Sequence, residues 1–288
     1  MSASTYPDRG SGGTGRPTET FPIPARTGIR FFRRISRATL GVFHDIGLRV
    51  FFLRDVARAL ADPGTYTPLT MQQMRGIGVD SLPLTAIVAA FIGSVIALQT
   101  RYQLFPGIQL SVVGMISRQM IILELGPLLT GLVLTGRVGA RMTAEIGTMR
   151  VTEQIDALET LAYDPIAYLV VPRLLAALVM FPLLVIVANA VGVGSAFFIS
   201  VGATDVTWAQ FKEGLRLAYD PFQLFYSLLK ATLFGGAIAL VCSYEGYQTG
   251  TGAEGVGRAT AKAVVITSVT ILLLDALTAA LLANKLQG

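Results

Sequence analysis

Cysteine and histidine are nearly missing from this chain of 288 residues, which has one of each, Cys242 and His44. A single cysteine excludes an internal disulfide. One Cys and one His supply neither a Cys/His metal set nor a Cys–His nucleophile pair. Charge is scarce too: Asp, Glu, Lys and Arg make up 14% of the residues, against about 25% in a soluble domain. By contrast 52% of the residues are hydrophobic and the mean hydropathy is +0.60. A water-soluble core of this size would need a charged skin, so the composition reads as an all-α polytopic membrane protein.

The net charge of +5 does not point to nucleic acid, because nearly half of the 23 Lys and Arg precede Ser81 and the basic excess is local. Residues 1–27 are rich in Ser, Thr, Gly and Pro, lack an apolar run and read as a disordered tail. From about 29 to 60 the residues Phe32, Ile35, Thr39, Phe43, Ile46, Val50, Leu53, Ala57 and Leu60 recur every three or four positions. The opposite side carries Arg30, Arg33, Arg34, Arg37, His44, Asp45, Arg49, Arg54 and Arg58. This pattern predicts an amphipathic interfacial helix on an anionic leaflet.

Five segments are long and apolar enough to cross a bilayer, about 20 residues being needed: roughly 82–101, 112–136, 168–201, 222–244 and 262–284. With the Arg-rich N-terminus in the cytoplasm, the 137–165 and 245–261 segments also fall inside and the 202–221 loop outside, where Trp208 and Tyr219 suit an interfacial belt. Small residues repeat along Ala86, Ala90, Gly93 and Ala97 and along Ala188, Gly192, Ala196 and Ser200, which favours close helix packing. Pro127, Pro172 and Pro182 predict kinks or interruptions.

Ionisable groups within apolar spans are costly and face a cavity or a partner. Arg118, Glu124, Lys230 and Asp275 stand out for that reason. Asp275 reads equally as a packing carboxylate or a cargo contact, and Lys230, toward its span's outer end, reads as snorkelling. The Gly-rich stretch Gly250–Ala259 formally contains GxGxxG and comes near a P-loop. However, Arg258 and Ala259 stand where Lys and Ser/Thr are needed, and no strand precedes it. A flexible turn is expected there, and no nucleotide site, cofactor or metal is expected in this chain.

The segment 136–176 alternates charged and apolar positions. Ile155, Leu158 and Leu161 share one face of a short predicted helix ending near Tyr163–Asp164, where Pro165 disfavours the α region. Glu153, Asp156 and Glu159 form a second face free to dock on a soluble protein.

These residues carry a resemblance. The run from ELGP (Glu124–Pro127) through GRVGA, TAEIGTM and EQIDAL to Asp164–Pro165 resembles the MlaE/YrbE family of ABC-transporter permeases. FIGSVIALQ (Phe91–Gln99), GRATAKAVV (Gly257–Val265) and LLLD (Leu272–Asp275) extend it, so it covers about 29–286. The resemblance implies a permease domain over 28–288 that works as a homodimer in a cell inner membrane, with the plastid inner envelope as the alternative. It also implies a separate ATPase subunit holding ATP and Mg, an MCE-domain partner, and phospholipids or related hydrophobic molecules as cargo. By the same resemblance Glu153, Gln154, Ile155, Asp156, Ala157 and Leu158 form a cytoplasmic coupling helix between the second and third spans. Phe91, Leu98, Gln99, Arg101, Arg118, Glu124 and Asp275 match or border the cargo pocket. The family commonly has Arg where this chain has Leu123, so a headgroup contact is expected to fall to Arg101 or Arg118. Two readings from other classes are an ion-coupled secondary transporter using Glu124 and Asp275, and a non-transporting membrane scaffold.

Overall fold

The structure, a computed structural model, describes the backbone of residues 47–60 and 63–286 and the side chains of 47–60 and 66–281. The expected tail at 1–27 and the interfacial helix up to residue 46 lie outside the described residues. The chain divides into two compact units, Met1–Leu48, of which residues 47 and 48 are described, and Arg49–Gly288, which carries every apolar span.

No strand occurs among the described residues. Residues 47–59 form α1, followed by α2 (Pro63–Ile77), a 3-10 turn (Val79–Ser81) and α3 (Leu82–Gln103). Next come α4 (Ser111–Val151), the short α5 (Gln154–Thr160) and α6 (Ile166–Ala203). The chain closes with α7 (Trp208–Arg216), α8 (Phe222–Tyr247) and α9 (Gly252–Leu286). Five stretches are long and apolar enough to cross a membrane: Tyr66–Gln103, α4, α6, α8 and Gly252–Leu281. The five-span, all-helical architecture expected from hydropathy is therefore present.

The second span is much longer than its apolar run. At 41 residues α4 extends about 60 Å, twice a bilayer core of about 30 Å, so residues 137–151 continue the helix where a loop was expected. The charges that suggested a loop are paired instead. Arg141 Nε lies 2.7 Å from Glu145 Oε1, Arg173 Nη2 of α6 lies 3.2 Å from Glu145 Oε2, and Arg137 Nη1 donates to Ser81 Oγ at 2.7 Å. α4 also contains two π turns, Ile121–Leu125 and Thr135–Gly139. Pro182 does not interrupt α6, which runs helical from Val171 to Ala203.

The expected outer loop contains a helix, α7. It opens on a capping box in which Gln210 N donates to Thr207 Oγ1 while the Gln210 side chain accepts from Thr207 N. Such a box satisfies two otherwise unpaired backbone donors.

Packing follows the small residues. α3 lies against α6 along most of its length, and α8 is central, touching α4, α6 and α9. At the α3–α6 crossing a Cβ on Gly93 would sit 2.0 Å from Gly192 O and 2.4 Å from Ser195 Oγ, so only a glycine lets the backbones meet. The larger core joins α4, α5, α6, α8 and α9, and a smaller one around Ile96, Val113, Ala196 and Phe211 joins α3, α4, α6 and α7. Outside the cores, large side chains such as Phe91 (68% exposed) and Leu273 (66%) face outward, as lipid-facing residues do.

Candidate functional site

Three charged residues meet inside the spans. Lys230 on α8 is fully buried, with its Nζ 2.7 Å from Glu124 Oε2 on α4 and 2.7 Å from Asp275 Oδ1 on α9. It also donates to Leu123 O at 3.2 Å and lies 4.7 Å from the centre of the Tyr226 ring. The snorkelling expected of Lys230 is thus overturned: α8 turns it toward the bundle centre, where two carboxylates repay its desolvation.

The local sequence explains how α4 serves this ammonium. Pro127 has no N–H to offer the carbonyl four residues back, which is that of Leu123, and Lys230 takes that carbonyl instead. Gly126 clears the way for α6, since a Cβ there would lie 2.0 Å from Asn189 Oδ1. In the π turn the Gly126 N–H reaches Ile121 O. Each letter of the ELGP run therefore has a physical role except Leu125, which lines a cavity.

That cavity, about 400 Å³, lies between α3, the 104–108 loop and the first half of α4. Ile96, Leu104, Ile108, Ile116 and Leu125 make it apolar, with Gln99 and Gln103 as polar groups. Of the residues matched to the cargo pocket, Gln99 lines it. Phe91 faces outward and Leu98 is partly buried.

The two arginines expected to hold a headgroup are engaged elsewhere. Arg118 is 3% exposed, and its guanidinium donates to Leu215 O at 2.8 Å, Ala218 O at 3.1 Å and Leu217 O at 3.3 Å. It thereby satisfies the carbonyls that end α7, and it stacks 5.3 Å from the Tyr219 ring. Arg101, at the end of α3, makes a two-pronged contact with Asp205, Nη2 to Oδ2 being 2.6 Å. The hydrogen bond from Arg101 holds the Asp205 carboxyl below its ordinary range.

At the opposite end of the bundle α5 sits between two residues in the left-handed region, Glu153 (φ 59) and Ala162 (φ 60). Its end is tied by Tyr163 N to Leu158 O and Ala162 N to Glu159 O, both 3.0 Å, the paired bonds of a Schellman cap. Ile155 is fully buried and Leu158 partly so, whereas Leu161 is 68% exposed. Leu161 thus leaves the expected buried face, because the helix ends at Thr160 and the cap swings it out. Gln154, Asp156, Ala157 and Glu159 are exposed along with Glu153 and Tyr163. Asp156 Oδ1 pairs with Arg150 Nη1 at 2.7 Å.

Sequence reasoning passed over Glu245, which is 3% exposed and joins Arg49 Nη2 at 2.7 Å to Lys262 Nζ at 2.9 Å. Its only sequence signal was a carboxylate near the end of an apolar span. The Gly-rich stretch, expected as a flexible turn, forms the opening turns of α9 from Gly252, with Glu254 and Arg258 facing each other at 3.6 Å.

A bundle of apolar spans with a short acidic helix at one end and a lined cavity at the other has counterparts among known proteins. The chain is 38% identical over 250 residues to a probable ABC transporter permease protein of Rickettsia prowazekii, covering 85% of this chain and 95% of that one. It is 29% identical over 251 residues to the intermembrane phospholipid transport system permease protein MlaE of Haemophilus influenzae, covering 86% and 95%. To the chloroplastic protein TRIGALACTOSYLDIACYLGLYCEROL 1 of Arabidopsis thaliana it is 32% identical over 207 residues, 72% and 59% of the two chains. The family described as Permease MlaE matches residues 70–281, which take in the cavity, the buried charges and α5 together. This chain is a multi-pass membrane protein that belongs to the MlaE permease family.

Proposed function

We propose that this chain is the permease subunit of an ABC transporter that moves phospholipids or related hydrophobic molecules between the cell inner membrane and an MCE-domain protein. It works as a homodimer whose ATP and Mg²⁺ are bound by a separate ATPase subunit. The α5 end faces the cytoplasm, in keeping with the basic residues clustered there. The observation that carries this reading is α5 itself, a short helix anchored by buried Ile155 that turns Glu153, Gln154, Asp156, Ala157 and Glu159 outward. A soluble ATPase needs such a handle to bias two arrangements of the spans.

The cavity supports a hydrophobic cargo. Exposing about 30 acyl methylenes to water at about 0.8 kcal/mol each would cost roughly 25 kcal/mol, so the tails must pass from one apolar lining to another. Gln99 and Gln103 offer uncharged polar contacts, consistent with cargo broader than phospholipid alone. Glu124 and Asp275 share the Lys230 ammonium, which weighs against their acting as free ion-coupled carboxylates.

The test replaces Glu153→Lys together with Asp156→Lys, with Arg150→Gln as the control for loss of the Arg150–Asp156 pair alone. The double variant should insert normally but lose its ATPase partner on purification and lose stimulated ATP hydrolysis. Normal stimulation would overturn the docking role.

A further inference from the structure

A second opening lies far from the cargo cavity in the fold, on different helices. Between α1, α8 and α9 a crevice of about 230 Å³ is walled by Phe52, Leu53, Leu240, Val241, Tyr244 and Thr270, with Arg49 at its edge. Nothing in the transport reading uses it. Its wall is almost wholly apolar, and a dry apolar cavity of 150 Å³ already accepts a small hydrocarbon. The space suits a short run of an acyl chain and is too small for a whole lipid.

The edge is charged, and the charges do not cancel. Glu245 is 3% exposed and has Arg49 on Oε1 at 2.7 Å and Lys262 on Oε2 at 2.9 Å. Among the described residues, one buried carboxylate therefore fixes two cations and leaves one net positive charge. Arg49 remains 33% exposed and Lys262 59%. The Arg49 guanidinium also lies 5.3 Å from the Tyr244 ring, whose body forms part of the apolar wall. A guanidinium has five N–H donors in a fixed fork, and the bond to Glu245 uses one of them. Fixed cations above an apolar slot complement a molecule with an anionic head and a hydrocarbon tail.

We propose that this crevice binds one acyl chain of an anionic phospholipid from the leaflet on the α5 side, with Arg49 and Lys262 holding its phosphate. The proposal rests on the orientation given above, since the cytoplasmic leaflet is the one that supplies anionic lipid. It concerns a resident lipid and not the transported one: the bound chain fills the gap between α1 and the α8–α9 pair and ties the surface helix to the spans.

The experiment uses the full chain in nanodiscs. Trp208→Phe removes the one tryptophan, and Leu53→Trp places a reporter in the crevice wall. Phosphatidylglycerol or phosphatidylcholine with brominated chains is then titrated in over the same range of mole fraction. Phosphatidylglycerol should quench at about one-fifth the mole fraction that phosphatidylcholine requires, the scale of one unneutralised cation at a headgroup. Arg49→Gln with Lys262→Gln should erase the preference. Equal quenching by both lipids would overturn the proposal, as would no quenching by either, which would mean that a protein segment fills the crevice. If Leu53→Trp fails to fold, Leu240→Trp reports on the opposite wall with the same expected and overturning results. Both faces of the disc have the same composition and no ATPase is present, so the result is independent of orientation and of the docking test on α5.

Discussion

The Lys230 ammonium on α8 stands 2.7 Å from the Asp275 carboxylate on α9, and the same nitrogen is 2.7 Å from Glu124 on α4. Lys230 is fully buried and Asp275 16% exposed, whereas Glu124 is 45% exposed and stays hydrated, so removing the ammonium leaves chiefly Asp275 uncompensated, at a cost of about 3 kcal/mol. Lys230→Met should therefore lower the thermal unfolding midpoint in detergent sharply. The same change combined with Glu124→Gln and Asp275→Asn should recover most of the loss, as three neutral groups need no partner charge. A triple variant with normal stability then gives a direct measure of whether these charges serve transport or only packing.

Ile155 is fully buried and holds α5 to the core. Ile155→Ala should cost about 2–4 kcal/mol locally and lower ATPase stimulation several-fold while leaving the exposed acidic face unchanged. Stimulation by saturating ATPase, compared with the apparent affinity between the subunits, separates a loosened helix from a damaged surface.

The crossing of α3 and α6 has no room for a methyl group at Gly93, where Gly192 O would lie 2.0 Å from it. Gly93→Ala should force the helices apart, with a destabilisation of about 1–3 kcal/mol, typical of overpacking. Gly194→Ala, on the same helix as Gly192 but with open space around it, should be nearly neutral. Unfolding midpoints of the two variants check the contrast.

Arg101 and Asp205 connect the end of α3 to the start of the loop before α7. The folded state holds the Asp205 carboxyl below its ordinary range, so the stabilisation is present above the unfolded-state value and is lost as pH falls through the lower folded-state value. Asp205→Asn should thus lower the unfolding midpoint slightly at neutral pH, and the difference from the unsubstituted protein should close in acid. Melting curves across that range, in low salt, would show it.

Hydropathy made the five spans legible, because a run of about 20 apolar residues has few alternatives to crossing a bilayer. The short helix of the charged segment after the second span was legible, since Ile155 and Leu158 share one of its faces and Pro165 follows it. The helical part of that segment before α5 was not, because Arg137, Arg141 and Glu145 look solvated until their partners on other elements are known. Lys230 was misread for a related reason: sequence gives depth along a span but not which side of the helix faces the bundle. The same limit applied to Arg101 and Arg118, whose partners Asp205 and the end of α7 lie about 100 residues away in the chain. α7 could have been found from its capping box, Thr207 with Gln210 three residues on, in a loop otherwise read for its aromatic residues alone.

The two π turns of α4 have a mechanical meaning. A π turn holds one residue more than an α turn, so each one offsets the face of the helix beyond it by about 100° relative to an unbroken α-helix. The first end of α4 is pinned to α7 through Arg118, and the far end is pinned to α6 through Glu145 and Arg173. Both turns lie between those pins, with Gly126–Leu134 between the turns. α4 is thus a shaft in three re-indexed lengths: the first lines the cavity with Val112, Ile116 and Met120, and the turn that ends it brings Glu124 onto Lys230.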